Sequence, residues 1–103
     1  MNHVQQILGK IKLMLLNMGF SETTVINPYR SEINYMRGNL YCIPQYIDSL
    51  GFLIEYADSY EEAKNHGHED GDAFSLILGE NAILTGLEKE IQQNMTAKGI
   101  MEP

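Results

Sequence analysis

The stretch 31-SEINYMRGNLYCIPQYIDSLGFLIEYA-57 decides the fold class of this chain. Two β-prone runs, SEINYM and NLYCIP, flank an Arg-Gly pair at positions 37–38, and this arrangement predicts a β-hairpin. The next run, GFLIEYA, alternates so that Phe52, Ile54 and Tyr56 share one face of a strand. The middle of the chain is therefore predicted to form three consecutive strands.

The residues around these strands leave two details open. The run TVI before Asn27 and Pro28 fits either a short strand or a loop. Pro44 has no backbone N–H, so we expect it to end the second strand of the hairpin or to lie on a sheet edge.

Two amphipathic helices are predicted at the ends of the chain. Residues 2–18 carry apolar side chains at helical spacing, and Gly19 follows them as a C-terminal cap. Residues 80–95, ENAILTGLEKEIQQNM, repeat the helical pattern. The apolar positions are Val4, Ile7, Leu8, Ile11, Met14, Leu15 and Met18 in the first helix and Ile83, Leu84, Leu87, Ile91 and Met95 in the second.

A short helix and a last strand are predicted between the hairpin region and the final helix. In DSYEEAKNHG, residues 58–67, Ser59 and Glu62 match a capping box, in which each side chain bonds the other residue's free backbone N–H. Gly67 is the expected stop of this helix. The run DAFSLILG, residues 72–79, is apolar on both faces and is predicted to be a central strand.

The predicted element order is α-β-β-β-α-β-α. This order indicates one α+β domain over residues 1–103, with about four largely antiparallel strands and helices packed mainly on one face.

Charge is distributed unevenly along the chain. The net charge is −7, yet residues 1–47 carry a net of +2, whereas residues 48–90 hold eleven acids against Lys64 and Lys89, a net of −9. An acidic block repels nucleic acid and anionic membranes and attracts a basic protein partner. Acidity that only keeps the protein soluble is an equally good interpretation of charge alone.

The expected compartment is the cytoplasm. The chain has no apolar run of membrane-spanning length and no signal-peptide pattern at its start. Its single cysteine, Cys42, lies in the apolar run LYCIP, which favours a buried small hydrophobic residue over a nucleophile.

The stretch NHGHEDGD, residues 65–72, is the strongest candidate for a metal site. However, His66 and His68 are two positions apart, not one helical turn apart as in the zinc motif H-E-x-x-H, and the calcium-loop pattern does not match. We therefore expect a solvated connection, with no metal and no cofactor. At a partner interface its histidines would make binding change between about pH 5.5 and 7.5.

Enzymatic and nucleic-acid functions find little support in the motifs. The carboxylates of residues 65–72 could exchange protons with a histidine, but no nucleophile motif, P-loop or dinucleotide-binding glycine pattern accompanies them. Six tyrosines could stack on bases, but the basic residues are scattered and the acidic block opposes phosphate. The sequence predicts a protein partner and no enzymatic activity.

Three runs carry a resemblance to a known family. LIEYADSYEEA, EDGDAFSLILGENAI and LEKEI, within residues 53–91, resemble the small immunity proteins of bacterial polymorphic-toxin systems of the contact-dependent inhibition type. The resemblance implies a non-enzymatic protein that binds and blocks a cognate toxin domain. Such a toxin is often a nuclease with a basic active-site surface.

The predicted contacts with this toxin lie in the acidic block, where carboxylates would pair with basic residues and tyrosines would anchor the interface. The expected mechanism is occlusion of a basic cleft. The carboxylates are Glu55, Asp58, Glu61, Glu62, Glu69, Asp70 and Asp72, and the tyrosines are Tyr56 and Tyr60.

Two rival hypotheses remain at the level of the sequence. The first is a small regulatory or ligand-binding α+β module that forms a homodimer through an exposed sheet edge. The second is a metal-dependent enzyme centred on His66 and His68.

Overall fold

The fold is an antiparallel sheet of five strands in which neighbours along the chain are also neighbours in the sheet. A computed structural model describes residues 2–100. Its elements are α1 (His3–Asn17), β1 (Ser21–Ile26), β2 (Ser31–Arg37), β3 (Leu40–Ile47), β4 (Gly51–Ala57), α2 (Tyr60–Lys64), β5 (Glu69–Asp70), a 3₁₀ turn (Leu76–Leu78) and α3 (Glu80–Ala97). No helix within residues 2–100 is long and apolar enough to cross a bilayer.

The α+β class is confirmed, but the sheet has five strands and not four. The additional strand is β1, which pairs with β2 over six residues, from Ser21 opposite Met36 to Ile26 opposite Ser31. Four β-branched residues in a row favour an extended backbone here. The turn that follows is closed by Asn27, whose Oδ1 accepts hydrogen bonds from two backbone N–H groups of the turn.

The predicted hairpin of β2 and β3 is present, but Pro44 does not end β3. The hairpin closes through Gly38, which adopts a positive φ of 59°. Pro44 lies inside β3 and faces Ile54 of β4, whereas the pairing of β3 with β2 ends at Cys42 opposite Tyr35. Because proline cannot donate a backbone hydrogen bond, it is compatible with this position, where β3 has no partner on the β2 side. Pro44 therefore lies at a local sheet edge, the second of the two positions expected from the sequence.

The two long helices cover one face of the sheet, called here the helix face, which carries Cys42, Phe52 and Ile54. Each fully buried isoleucine or leucine on these helices contributes about 1.5–3 kcal/mol to the free energy of unfolding. The buried helix residues are Ile7, Ile11, Leu15, Ile83, Leu87, Ile91 and Met95.

The short helix α2 packs on the other face, called here the opposite face. Ala63 of α2 joins a second buried cluster with Val25, Tyr41 and Ala57, one residue from each of β1, β3 and β4. The prediction that helices lie mainly on one face is therefore confirmed by α1 and α3, and the five-residue α2 is the exception.

The caps of α2 differ in detail from the predicted capping box. Ser59 Oγ accepts the N–H of Glu62 at 3.1 Å, as expected. The Glu62 carboxylate accepts the N–H of Asp58 at 3.2 Å, not that of Ser59. The residue that turns the chain after the helix is His66, with a φ of 57°, and not Gly67.

The predicted central strand over residues 72–79 is wrong. The strand β5 comes earlier, at Glu69–Asp70, and lies at the sheet edge. Only Phe74 of the predicted strand pairs with the sheet, opposite Phe52. The following residues form the 3₁₀ turn, where Ile77 is 92% exposed. The apolar pattern matched a buried strand, but these residues instead carry the chain away from the edge toward α3.

Two glycines inside the long helices provide a test of this packing. A Cβ on Gly9 would meet no atom within 4 Å, whereas a Cβ on Gly86 would overlap the ring of Phe74. Alanine gains about 0.5–1 kcal/mol over glycine in a helix interior. We therefore expect Gly9→Ala to raise the free energy of unfolding by that amount. Gly86→Ala should lower it by about 1–3 kcal/mol because overpacking outweighs the helical gain.

Urea unfolding of both variants beside the parent chain measures these changes. A stabilisation by Gly86→Ala as large as that by Gly9→Ala would contradict the contact between α3 and Phe74.

Candidate functional site

A small acidic pocket lies where the β4–β5 edge of the sheet meets α3. Its volume is about 190 Å³. Five carboxylates surround it, together with a tyrosine, an asparagine and a glycine. The residues of this acidic pocket are Tyr56, Asp58, Glu62, Glu69, Asp70, Gly71, Glu90 and Asn94.

Glu90 of α3 is the fixed carboxylate of the acidic pocket. The Tyr56 hydroxyl donates to Glu90 Oε2 at 2.8 Å, and the backbone N–H of Asp72 donates to Oε1 at 2.6 Å. A Cβ on Gly71 would lie 2.6 Å from Glu90 Oε2 and 2.8 Å from the Tyr56 ring, so a larger residue would displace one of these side chains. Sequence reasoning missed Glu90, because its partners lie 34 and 18 residues away and no local pattern marks it.

Two further carboxylates of the pocket are engaged by neighbouring groups. Lys98 Nζ donates to the backbone carbonyl of Asp58 at 2.8 Å and forms an ion pair with its carboxylate at 3.1 Å. Glu62 accepts the backbone N–H of Asp58. The ammonium group of Lys98 therefore offsets part of the negative charge around the pocket.

Glu69 and Asp70 are the two residues lining the acidic pocket whose carboxylates are unpaired. Both are exposed. Within residues 2–100, neither side chain forms a hydrogen bond or an ion pair. The register of β5 places the Glu69 side chain on the face of Tyr56 and the Asp70 side chain on the face of Glu55, outside the pocket. Glu69 is therefore the carboxylate best placed to receive a cation from outside.

The pocket tyrosine acts as a hydrogen-bond donor and not as an acid. Burial raises the pKa of Tyr56, and its hydrogen bond to Glu90 raises it further. The hydroxyl therefore stays protonated at neutral pH and holds the Glu90 carboxylate in place.

Cys42 is fully buried, which confirms the structural role predicted for it. Burial raises the pKa of its thiol, with a smaller contribution from the charge of Glu90. The thiol therefore stays neutral and behaves as a small core side chain.

The predicted contact residues are only partly brought together. Tyr56, Asp58, Glu62, Glu69 and Asp70 line the acidic pocket. The ring of Tyr56 is only 8% exposed, so it offers a partner little contact area beyond its hydroxyl.

The other predicted contacts lie outside the pocket. Glu55 pairs with Ile43 and lies on the opposite face of the sheet. Tyr60 is 47% exposed and meets the ring of Tyr41 edge to face, at 6.3 Å between centroids. Glu61 is exposed in the first turn of α2, and Asp72 is exposed beside the pocket.

The two histidines of residues 65–72 bond to β2 and to the β1–β2 turn and do not line the acidic pocket. His66 Nδ1 lies 2.8 Å from a Glu32 carboxylate oxygen, and its Nε2 lies 2.6 Å from Asn27 Nδ2. His68 Nε2 lies 2.9 Å from Asn34 Oδ1. Together these bonds attach the connection between α2 and β5 to strand β2 and to the turn between β1 and β2.

The contacts of the histidines leave no metal-binding arrangement around them. Both ring nitrogens of His66 have protein partners. In the part of the chain that the structure describes, no group of three or more histidine, cysteine or carboxylate side chains could hold a metal ion.

His68 is held in a polar but partly desolvated position. Burial lowers the pKa of His68, against the opposing effects of nearby carboxylates, of which Glu55 is the largest. Its partner Asn34 is fully buried, and the Nδ2 of Asn34 has no hydrogen-bond partner among residues 2–100. Neutral His68 therefore fits this position better than its charged form.

Comparison with protein-family models, with curated proteins and with solved structures finds no match for this chain.

The position of His68 predicts a pH dependence of stability. Folding lowers the pKa of His68. As the pH falls below about 6.5, the His68 side chain is therefore protonated more readily in the unfolded chain than in the folded chain. Its contribution to stability is present above that pH and is lost below it. His68→Gln keeps a donor for Asn34 but cannot be protonated, so its free energy of unfolding should fall less steeply between about pH 7 and 5.

Urea unfolding at several pH values tests this difference in slope. His3→Gln, on the exposed first turn of α1, is the matched control and should parallel the parent chain. Equal slopes for His68→Gln and the parent chain would show that His68 does not contribute to the loss of stability at low pH.

Proposed function

We propose that this protein is a non-enzymatic binding protein whose acidic pocket receives a lysine or arginine side chain of a basic protein partner. The observation that carries the proposal is the unpaired carboxylate of Glu69, which lies opposite Tyr56 at a pocket lined by five acids. A cationic side chain entering it would form charge-assisted hydrogen bonds.

The size of the pocket favours a single side chain over a small-molecule ligand. Its volume of about 190 Å³ is below the roughly 300–1,000 Å³ of typical small-molecule sites. Its walls are predominantly polar, whereas such sites are lined mainly by apolar groups. A flexible cationic side chain from a protein surface meets both conditions.

The resemblance of residues 53–91 to small immunity proteins supports a more specific partner. On this proposal the partner is a cognate toxin domain with a basic active-site cleft, and binding blocks access to that cleft. The negative charge of residues 48–90 would accelerate the encounter, and pairing within the acidic pocket would set the register of the complex.

Two double variants with equal charge changes separate pocket binding from general attraction. Glu69→Gln with Asp70→Asn removes the two unpaired charges of β5, including that of Glu69 on the pocket side. Asp48→Asn with Glu88→Gln removes two exposed acids that lie outside it. We expect the pocket variant to weaken binding to the proposed cognate toxin domain by at least about tenfold, and the control variant to change it by less than about twofold.

Isothermal titration calorimetry at two salt concentrations measures these affinities. Equal losses for the two variants would show that only net charge matters. Unchanged binding by the pocket variant would refute the role of the pocket.

A tetra-arginine peptide provides a probe that does not depend on the toxin. In an NMR titration, we expect amide shifts to concentrate at residues 69–72 and at Glu90, and a tetra-glutamate peptide to cause none. Shifts spread evenly over all acidic residues would contradict a specific site.

A further inference from the structure

The two edges of the sheet differ in how they are protected. At one edge, β5 is two residues long and is followed by an irregular segment before Phe74 pairs with Phe52. At the other edge, β1 extends over six residues. Within residues 2–100, no backbone group other than those of β2 is hydrogen-bonded to β1.

The register of the β1–β2 hairpin shows which groups of this edge are free. The N–H of Asn27 donates to the carbonyl of Arg30 at 3.0 Å, so this pair is hydrogen-bonded. Because hydrogen-bonded and non-hydrogen-bonded pairs alternate along an antiparallel ladder, Glu22, Thr24 and Ile26 direct their N–H and C=O groups away from β2. All three residues are exposed.

The edge of β1 lacks the features that usually prevent strand pairing. Its sequence, SETTVI, contains no lysine and no proline, and its one charged residue is Glu22. The side chain of Ile26 is 64% exposed, and Ile33, opposite Thr24 on β2, is 52% exposed. Such an edge is a template for another strand.

We propose that β1 pairs with β1 of a second copy of this chain, antiparallel and centred on Thr24. In this register Thr24 faces Thr24 of the second copy and Glu22 faces its Ile26. All three outward residues then form hydrogen-bonded pairs, which gives about six backbone hydrogen bonds, whereas a shift by two residues leaves about four.

Side chains are also self-complementary in this register. The two-fold axis places Thr24 of both copies between the two Ile33 side chains, so four residues form one continuous row. Glu22 lies opposite an isoleucine, so the register avoids a like-charge pair at the interface.

The negative charge of the chain does not oppose this dimer strongly. The acidic pocket lies at the β5 edge, four strand spacings or about 19 Å from β1. The two pockets of a dimer would be about 40 Å apart. That distance is several times the Debye length of about 8 Å at physiological ionic strength. Residues 1–47, which include β1, carry a net charge of +2.

The dimer does not depend on the proposed function of the acidic pocket. It leaves both pockets free at the two outer edges of a ten-stranded sheet, and a partner with two basic sites could therefore bind bivalently.

Light scattering coupled to gel filtration tests the dimer with the protein alone. The measurements span about 5 to 500 µM protein. We expect the mass to approach twice 11.7 kDa at the highest concentration and to fall toward 11.7 kDa on dilution. Thr24→Lys should give the monomer mass because two lysines would face each other at the axis. Thr24→Pro should do the same because it removes an outward N–H that β2 does not use.

Gln92→Lys, on the exposed surface of α3, is the control for charge and should remain dimeric. Hydrogen exchange locates the interface: the amides of Glu22, Thr24 and Ile26 should become protected as the concentration rises. A parent chain that stays monomeric throughout this range would overturn the proposal. A dimer that both Thr24 variants retain, with those amides unprotected, would also overturn it.

Discussion

Strand β4 is paired along both edges and buried on both faces, and the rest of the molecule is arranged around it. Phe52 and Ile54 pack under α1 and α3, whereas Leu53 and Ala57 are buried on the opposite face. An inner strand with two covered faces requires elements on each side. The long helices satisfy this requirement on one face, and α2 contributes to it on the other.

This arrangement gives the two edges of the sheet different chemistry. The β5 edge meets α3, where the bond from Tyr56 to Glu90 holds a carboxylate at the floor of the acidic pocket. The β1 edge carries threonines and apolar residues with free backbone groups. A protein of this size can therefore combine recognition of a basic group at one edge with strand pairing at the other. The proposed functions use different edges and can be tested separately.

The connection of residues 65–72 links these two regions. Its histidines bond to residues of β2 and of the β1–β2 turn, and its residues Glu69 and Asp70 line the acidic pocket. The segment that most resembled a metal site in the sequence is thus a cross-sheet connection. Its histidines form partly buried polar contacts, whereas its carboxylates are exposed.

The sequence by itself determined the elements that depend on local periodicity and turn chemistry. The apolar spacing of α1 and α3, the turn at Gly38 and the alternation of Phe52 and Ile54 were sufficient, because these signals act over a few residues. The positions of Glu90, Pro44 and residues 72–79 depend on contacts between elements that are far apart in the chain. Glu90 bonds to Tyr56 of β4, and Pro44 is tolerated because β2 ends its pairing before it. The apolar run of residues 72–79 pairs with the sheet only at Phe74 and then forms a 3₁₀ turn.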